Sequence, residues 1–162
     1  MNRTIRKVAV LGSGIMGSRI ACHFANIGVD VLLLDIAPKE LNDDEKKKGL
    51  TLDHPAVKNR IVNSAFDSTL KGSPAPLFSK KFASRVKLGN FTDDMSKIKT
   101  CDWTIEVVVE NLDIKKKVYE EVEKHRTPGT LITSNTSGIP IHLMAEGRSE
   151  ERVQNIDCKI CG

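Results

Sequence analysis

Val8-Ala9-Val10-Leu11-Gly12-Ser13-Gly14-Ile15-Met16-Gly17 carries the decision about the fold. Residues 5–11 read as a strand with few polar interruptions, as in one buried in a parallel sheet. They run into three glycines spaced G-x-G-x-x-G, and residues 15–27 then place Ile20, Phe24 and Ile27 at helical spacing. The three glycines differ in what they allow. Gly12 permits a tight turn, Gly14 lets the backbone approach a diphosphate, and Gly17 lets the helix lie close on the strand. Ile15 and Met16 fall in the first helical turn, where unpaired N–H groups face an anion. Gly28 is predicted to cap the helix, and residues 29–34 read as a second strand closed by Asp35. A carboxylate there accepts from both hydroxyls of an adenosine ribose and repels a 2′-phosphate. The stretch therefore predicts NAD as cofactor, in preference to NADP.

The remainder of the chain continues the alternation. Pro38 is predicted to start a helix over residues 41–50, and Pro55 another through Val57, Ile61, Val62 and Phe66. This helical pair either packs on the sheet or projects from it. Residues 86–90 read as a short strand, after which Thr92 is expected to cap a brief helix reaching Ile98. Residues 103–109 read as a strand ending at Glu110-Asn111, residues 112–125 as a helix, and residues 130–134 as a further strand ending in Asn135-Thr136-Ser137. The expected fold is α/β, a Rossmann-type parallel sheet with a helical insertion after the second strand. It occupies residues 1–150, with the insertion at about 38–70 and an aberrant tail over 151–162.

Composition narrows the function classes. The 162 residues suit one domain. The net charge of +4 arises from 25 basic and 21 acidic side chains, interleaved unlike a nucleic-acid tract, so no nucleic-acid partner is expected. The lysine runs at 46–48, 80–81 and 115–117 read as solvated surface, with an anionic ligand as the minority reading. No apolar run reaches the ~18 residues of a membrane span, and the N-terminus does not read as a signal peptide. Four cysteines make no disulfide frame; Cys158 and Cys161 form C-x-x-C with no second pair or histidine after them. Reduced thiols in the cytoplasm are the expectation.

Glu110, Asn111, Asn135 and Ser137 all follow C-terminal ends of predicted parallel strands, the edge where ligands collect in open α/β sheets. Asn111 reads equally as a helix cap. Ser137 has no adjacent base and is taken as a hydrogen-bonding group, not a nucleophile. His142, near the Ser137 loop, is the one histidine to suspect of a catalytic role.

Together these residues resemble the NAD-binding domain of 3-hydroxyacyl-CoA dehydrogenases. The resemblance covers about residues 5–148. It rests on the glycine stretch, on Asp102-Trp103-Thr104-Ile105-Glu106 with Val108-Val109-Glu110-Asn111, on Lys115, and on Ser134-Asn135-Thr136-Ser137. Such enzymes oxidise the 3-hydroxy group of an acyl-CoA, passing hydride to NAD. The resemblance implies that Asp35 binds the adenine ribose and that Glu110 and Lys115 line the nicotinamide side. It places Asn135 near the reacting centre and Ser137 on the substrate oxygen. The insertion would serve the CoA side, with Lys58 or a lysine of 46–48 as candidates for CoA phosphates. It also implies a homo-oligomer for the full-length form.

The family continues into a strand bearing His-Phe-Phe-Asn-Pro, whose histidine is the general base, and then into a helical C-terminal domain. Residues 151–162 show no such motif. The expectation is a nucleotide-binding half-enzyme, inactive by itself. Two alternatives stay open: a fragment of another β-hydroxyacid dehydrogenase, and a non-catalytic NAD-binding module. A methyltransferase using S-adenosylmethionine would not require the Glu110-Asn111 and Asn135-Ser137 pattern.

Overall fold

A computed structural model describes residues 4–140, 143–144 and 156–157; His142, Cys158 and Cys161 lie outside them. Among these residues, six parallel strands form one sheet in the order β3-β2-β1-β4-β5-β6. These are β1 (Lys7–Leu11), β2 (Asp30–Asp35), β3 (Val86–Asn90), β4 (Trp103–Glu106), β5 (Leu131–Ser134) and β6 (Ile156–Asp157). The order is that of a Rossmann fold, and the strand sequence reverses between β1 and β4.

Central β1 explains itself. Val8 and Val10 face one layer with Phe24 and Ile105, while Ala9 and Leu11 face the other with Tyr119 and Ile132. These four of the five β1 side chains are fully buried, and each large one contributes about 1.5–3 kcal/mol. Helix α1 (Ile15–Asn26) covers the first face, with Ala21 and Ala25 buried against the sheet. It stops as predicted: Gly28 has φ 89° and donates its N–H to Ala25 O at 3.3 Å. On the opposite face lies α6 (Leu112–His125), through Val118, Tyr119 and Val122.

The insertion differs from its expected form. The first helix shrinks to α2 (Asp43–Lys47), because Asn42 and Glu45 form a capping box there and Gly49, at φ 66°, turns the chain soon after. The second divides at Asn59 into α3 (Pro55–Lys58) and α4 (Arg60–Leu70). Asn59 has left helical geometry, and its side-chain oxygen accepts from Asn90 Nδ2 at 2.8 Å. Helix α4 buries Val62 and Phe66 in the core beside α1, so this arm of the insertion packs on the sheet.

Two boundaries also move. The helix after β3, α5 (Phe91–Asp94), is capped by Asn90, whose oxygen accepts from Asp93 N; Thr92 lies inside the helix and does not cap it. Strand β4 ends at Glu106 and not near residue 109, because the Glu106 carboxylate takes the N–H of Val108 at 2.7 Å and bends the chain out of the ladder. Within the expected tail, Ile156 and Asp157 align beside Ile132 and Thr133 as the short strand β6.

Candidate functional site

The strand ends and helix starts meet along the C-terminal edge of the sheet. Its first half is built by the glycine turn. Gly12 has φ 109°, and a Cβ there would stand 2.5 Å from Val107 O. A Cβ on Gly17 would stand 1.9 Å from Gly12 O, so α1 can approach its own turn only with glycine at that position. Gly14 behaves differently: a Cβ there would meet nothing within 4 Å. The fold itself does not need glycine at 14, which leaves room for a ligand against the backbone. Helix α1 has no side-chain cap and no acidic residue in its first turn, so its positive end is uncompensated.

Asp35 lies across this turn. Its Oδ2 accepts from Ser13 N at 2.6 Å and from the Ser13 hydroxyl, and its Oδ1 accepts from Ile36 N at 2.7 Å. The turn is tied to β2 again by Gly12 N donating to Leu34 O at 2.8 Å, and to α1 by the Ser18 hydroxyl donating to Ser13 O at 2.7 Å. Asp35 and the glycines are thus brought together as the sequence predicts. Ser13, to which the sequence pattern assigns no role, is what joins them. Ile15, Met16 and Ile36 leave apolar surface exposed around the turn. A cleft of about 410 Å³ runs from Ser13 and Gly14 past Arg19 to Ser68 and Thr69 on α4.

The second half of the edge is held by charge. Lys115 on α6 and Glu106 at the end of β4 are both fully buried. The ammonium reaches the two Glu106 oxygens at 2.8 and 3.0 Å and Glu110 Oε2 at 3.3 Å. The Ser134 hydroxyl donates to Glu106 Oε2. Glu110 is half-exposed and accepts at Oε1 from the Thr136 hydroxyl, from Gly138 N at 2.9 Å and from Ile139 N at 3.2 Å. The Thr136 hydroxyl first, then the Gly138 amide and the Lys115 ammonium, hold the Glu110 carboxyl well down, at about 2.

Lys115 therefore stands behind the edge, reaching it only through Glu110. Asn135 is half-buried and donates its backbone N–H to Glu106 O at 2.8 Å, while Ser137 is exposed at the head of the same turn. Asn111 caps α6, its side-chain oxygen accepting from Ile114 N at 3.1 Å, which is the structural of its two readings. The sequence pattern gives Glu106 no role. The available signal is a charged residue within an otherwise apolar strand, which needs a buried partner.

The peripheral candidates are placed as follows. Lys58 pairs with Asp93 at 3.0 Å and Asp53 at 3.8 Å, and Lys46 with Asp43 at 3.8 Å; Lys47 and Lys48 are exposed. His54 is the cap of α3, while His23 and His125 lie in the last turns of α1 and α6, at the opposite edge of the sheet. Cys22 and Cys101 are buried and unpaired, and burial pushes both thiols up to about 11. Among the described residues, no helix is long and apolar enough to cross a membrane.

Comparison with known proteins identifies the family and the fold. The family described as "3-hydroxyacyl-CoA dehydrogenase, NAD binding domain" matches residues 7–156. A probable 3-hydroxyacyl-CoA dehydrogenase of Bacillus subtilis is 54% identical over 151 residues, covering 93% of this chain and 19% of that protein. One from Deinococcus radiodurans is 39% identical over 147 residues, covering 91% of this chain and 38% of that one. Among solved structures, (S)-3-hydroxybutyryl-CoA dehydrogenase from Ralstonia eutropha superposes with a TM-score of 0.63 at 28% identity, over 96% of this chain and 48% of that chain. The chain thus spans from about a fifth to about two fifths of the length of these curated relatives.

Proposed function

This chain belongs to the 3-hydroxyacyl-CoA dehydrogenase family, in its NAD-binding domain, and from that premise we propose that it binds NAD along the C-terminal edge of its sheet. The observation that carries the reading is the turn at Gly14, where an uncapped helix N-terminus and open backbone lie beside the Asp35 carboxylate. The N–H groups of Ile15, Met16 and Gly17 would take the diphosphate, and Asp35 the ribose hydroxyls. Exposed Ile15, Met16 and Ile36 offer apolar surface for the adenine. Glu110 and Asn135 would border the nicotinamide, and Ser137 would hydrogen-bond the substrate oxygen. NAD, when bound, supplies the hydride acceptor for oxidation of a 3-hydroxyacyl-CoA.

The chain's residues bind and orient. Removal of the hydroxyl proton needs a base; His54 caps α3, and His23 and His125 lie in the last turns of α1 and α6, away from this edge. We assign that base to a group outside the described residues. The buried, unpaired thiols of Cys22 and Cys101 support a reducing, cytoplasmic setting. Acyl-CoA as substrate and self-association of a full-length form belong to the same reading. Calorimetry with NADH and NADPH tests it: NADH should bind at least about tenfold more tightly, as a carboxylate facing a 2′-phosphate requires. Absence of NADH binding overturns the assignment.

A further inference from the structure

Glu106 is a buried carboxylate for which nucleotide binding by itself has no use. It is the last residue of β4, fully enclosed, and faces α6. Lys115 Nζ reaches both its oxygens, Val108 donates to Oε1 at 2.7 Å, and Ser134 donates to Oε2. A charge cluster of this kind is no better for stability than apolar side chains of the same volume. Its position suggests what it does. Glu106 holds both sides of the start of the 135–139 turn, the Ser134 hydroxyl through its carboxylate and the Asn135 amide through its carbonyl. It also holds Lys115, whose other carboxylate neighbour is Glu110, and Glu110 carries the far side of the turn at Gly138 and Ile139.

We propose that Glu106 is a positioning residue for the turn that bears Asn135 and Ser137. It anchors the Lys115 ammonium at a set depth, so that Glu110 rests at 3.3 Å from that ammonium with its other oxygen turned to the amides of Gly138 and Ile139. Without the anchor, the buried cation's attraction falls on Glu110 alone and draws it inward, off those amides. Replacement of Glu106 therefore acts on the nicotinamide half of the edge and spares the adenosine half.

Hydrogen exchange on the whole chain without ligand tests this directly. In Glu106→Gln, the amides of Gly138 and Ile139 should exchange about tenfold faster or more, while those of Val10 and Leu33 keep their protection. The ligand arm rests on the NAD reading: NADH should bind about tenfold more weakly to the variant, with ADP-ribose, which lacks nicotinamide, changed by less than about twofold. Unchanged exchange at Gly138 and Ile139 overturns the proposal. Equal loss of both ligands, or of protection across the sheet, overturns it too, since Glu106 then serves the fold as a whole. Ser134→Ala removes one hydroxyl from the cluster and should speed the same two amides by about threefold; if Glu106→Gln does not fold, this variant decides. A wild-type chain that binds neither NADH nor ADP-ribose strikes the nucleotide reading instead, and exchange alone then judges Glu106.

Discussion

The two halves of the sheet edge reach the same kind of geometry by different physics. Around β1, α1 and β2 the cleft is shaped mainly by backbone: a left-handed glycine, a helix start without a cap, and main-chain N–H groups on Asp35. Around β4, α6 and β5 it is shaped by side-chain charge, with Glu106, Lys115 and Glu110 in a chain from the core to the surface. The first half is stiff because sterics leave one arrangement. The second depends on pairing among three side chains, and so it can be loosened by changes that leave the backbone turn of the first intact.

The largest effect is expected where sterics leave no room. Gly17→Val puts a branched side chain where a single Cβ already stands 1.9 Å from Gly12 O. It should cost more than about 4 kcal/mol, enough to remove the folded chain in urea denaturation. A cooperative transition close to wild type would show that the turn is not as rigid as described. In the charged half, Lys115→Met strands Glu106 in the core and should cost about 3–5 kcal/mol. The contrast lies in the repair. Glu106→Leu combined with Lys115→Met should recover most of that loss, whereas no second change at a neighbouring side chain should rescue Gly17→Val, since the clash is with backbone. A double variant no more stable than the single one would break the comparison.

A smaller effect separates the halves by pH. Glu110 is held at about 2 against its ordinary 4.5, by Thr136 first and then by Gly138 and Lys115. Its folded value lies below its unfolded one, so its stabilising contribution is complete above 4.5 and is lost as pH falls from there towards 2. With 41% of the side chain exposed, solvent screens much of this contribution. Stability of the wild-type chain should therefore fall across that window with a slope that Glu110→Gln flattens, as read from urea midpoints. If both proteins lose stability in parallel, Glu110 is not what holds the 136–139 turn.

The same division governs what can be read from the sequence. The glycine spacing, the apolar strands and Asp35 are legible because backbone sterics and periodicity are local, and local patterns survive in one dimension. α6 emerges with its predicted bounds because Ile114, Val118 and Val122 recur at four-residue spacing beside a capping asparagine. The insertion departs from its pattern where side chains compete for the backbone: the Asn42–Glu45 box is local and its N-x-x-E spacing is legible, whereas the Asn59–Asn90 contact joins residues 31 apart and no local pattern carries it. β4 reads too long for the same reason, since the Glu106 carboxylate ends it. The Glu106–Lys115–Glu110 chain itself joins a strand end, the loop after it and a helix, and only the tertiary fold shows that Lys115 faces inward.

The smallest structural change makes the sharpest test of the backbone half. Gly14→Ala adds one methyl group where nothing of the protein lies within 4 Å, at a φ of −54° that alanine adopts readily. Stability should move by no more than about 1 kcal/mol, the scale of an N-cap exchange. If the reason for glycine at 14 is the close passage of a diphosphate, NADH affinity should nevertheless fall by about tenfold or more, because the methyl group occupies the ligand's space and tilts it off the helix N–H groups. Gly12 and Gly17 cannot separate the two demands, since replacing either disturbs the fold before binding can be measured. Position 14 can, and an alanine there that binds NADH as tightly as glycine would mean that the open backbone at this turn serves something other than a dinucleotide.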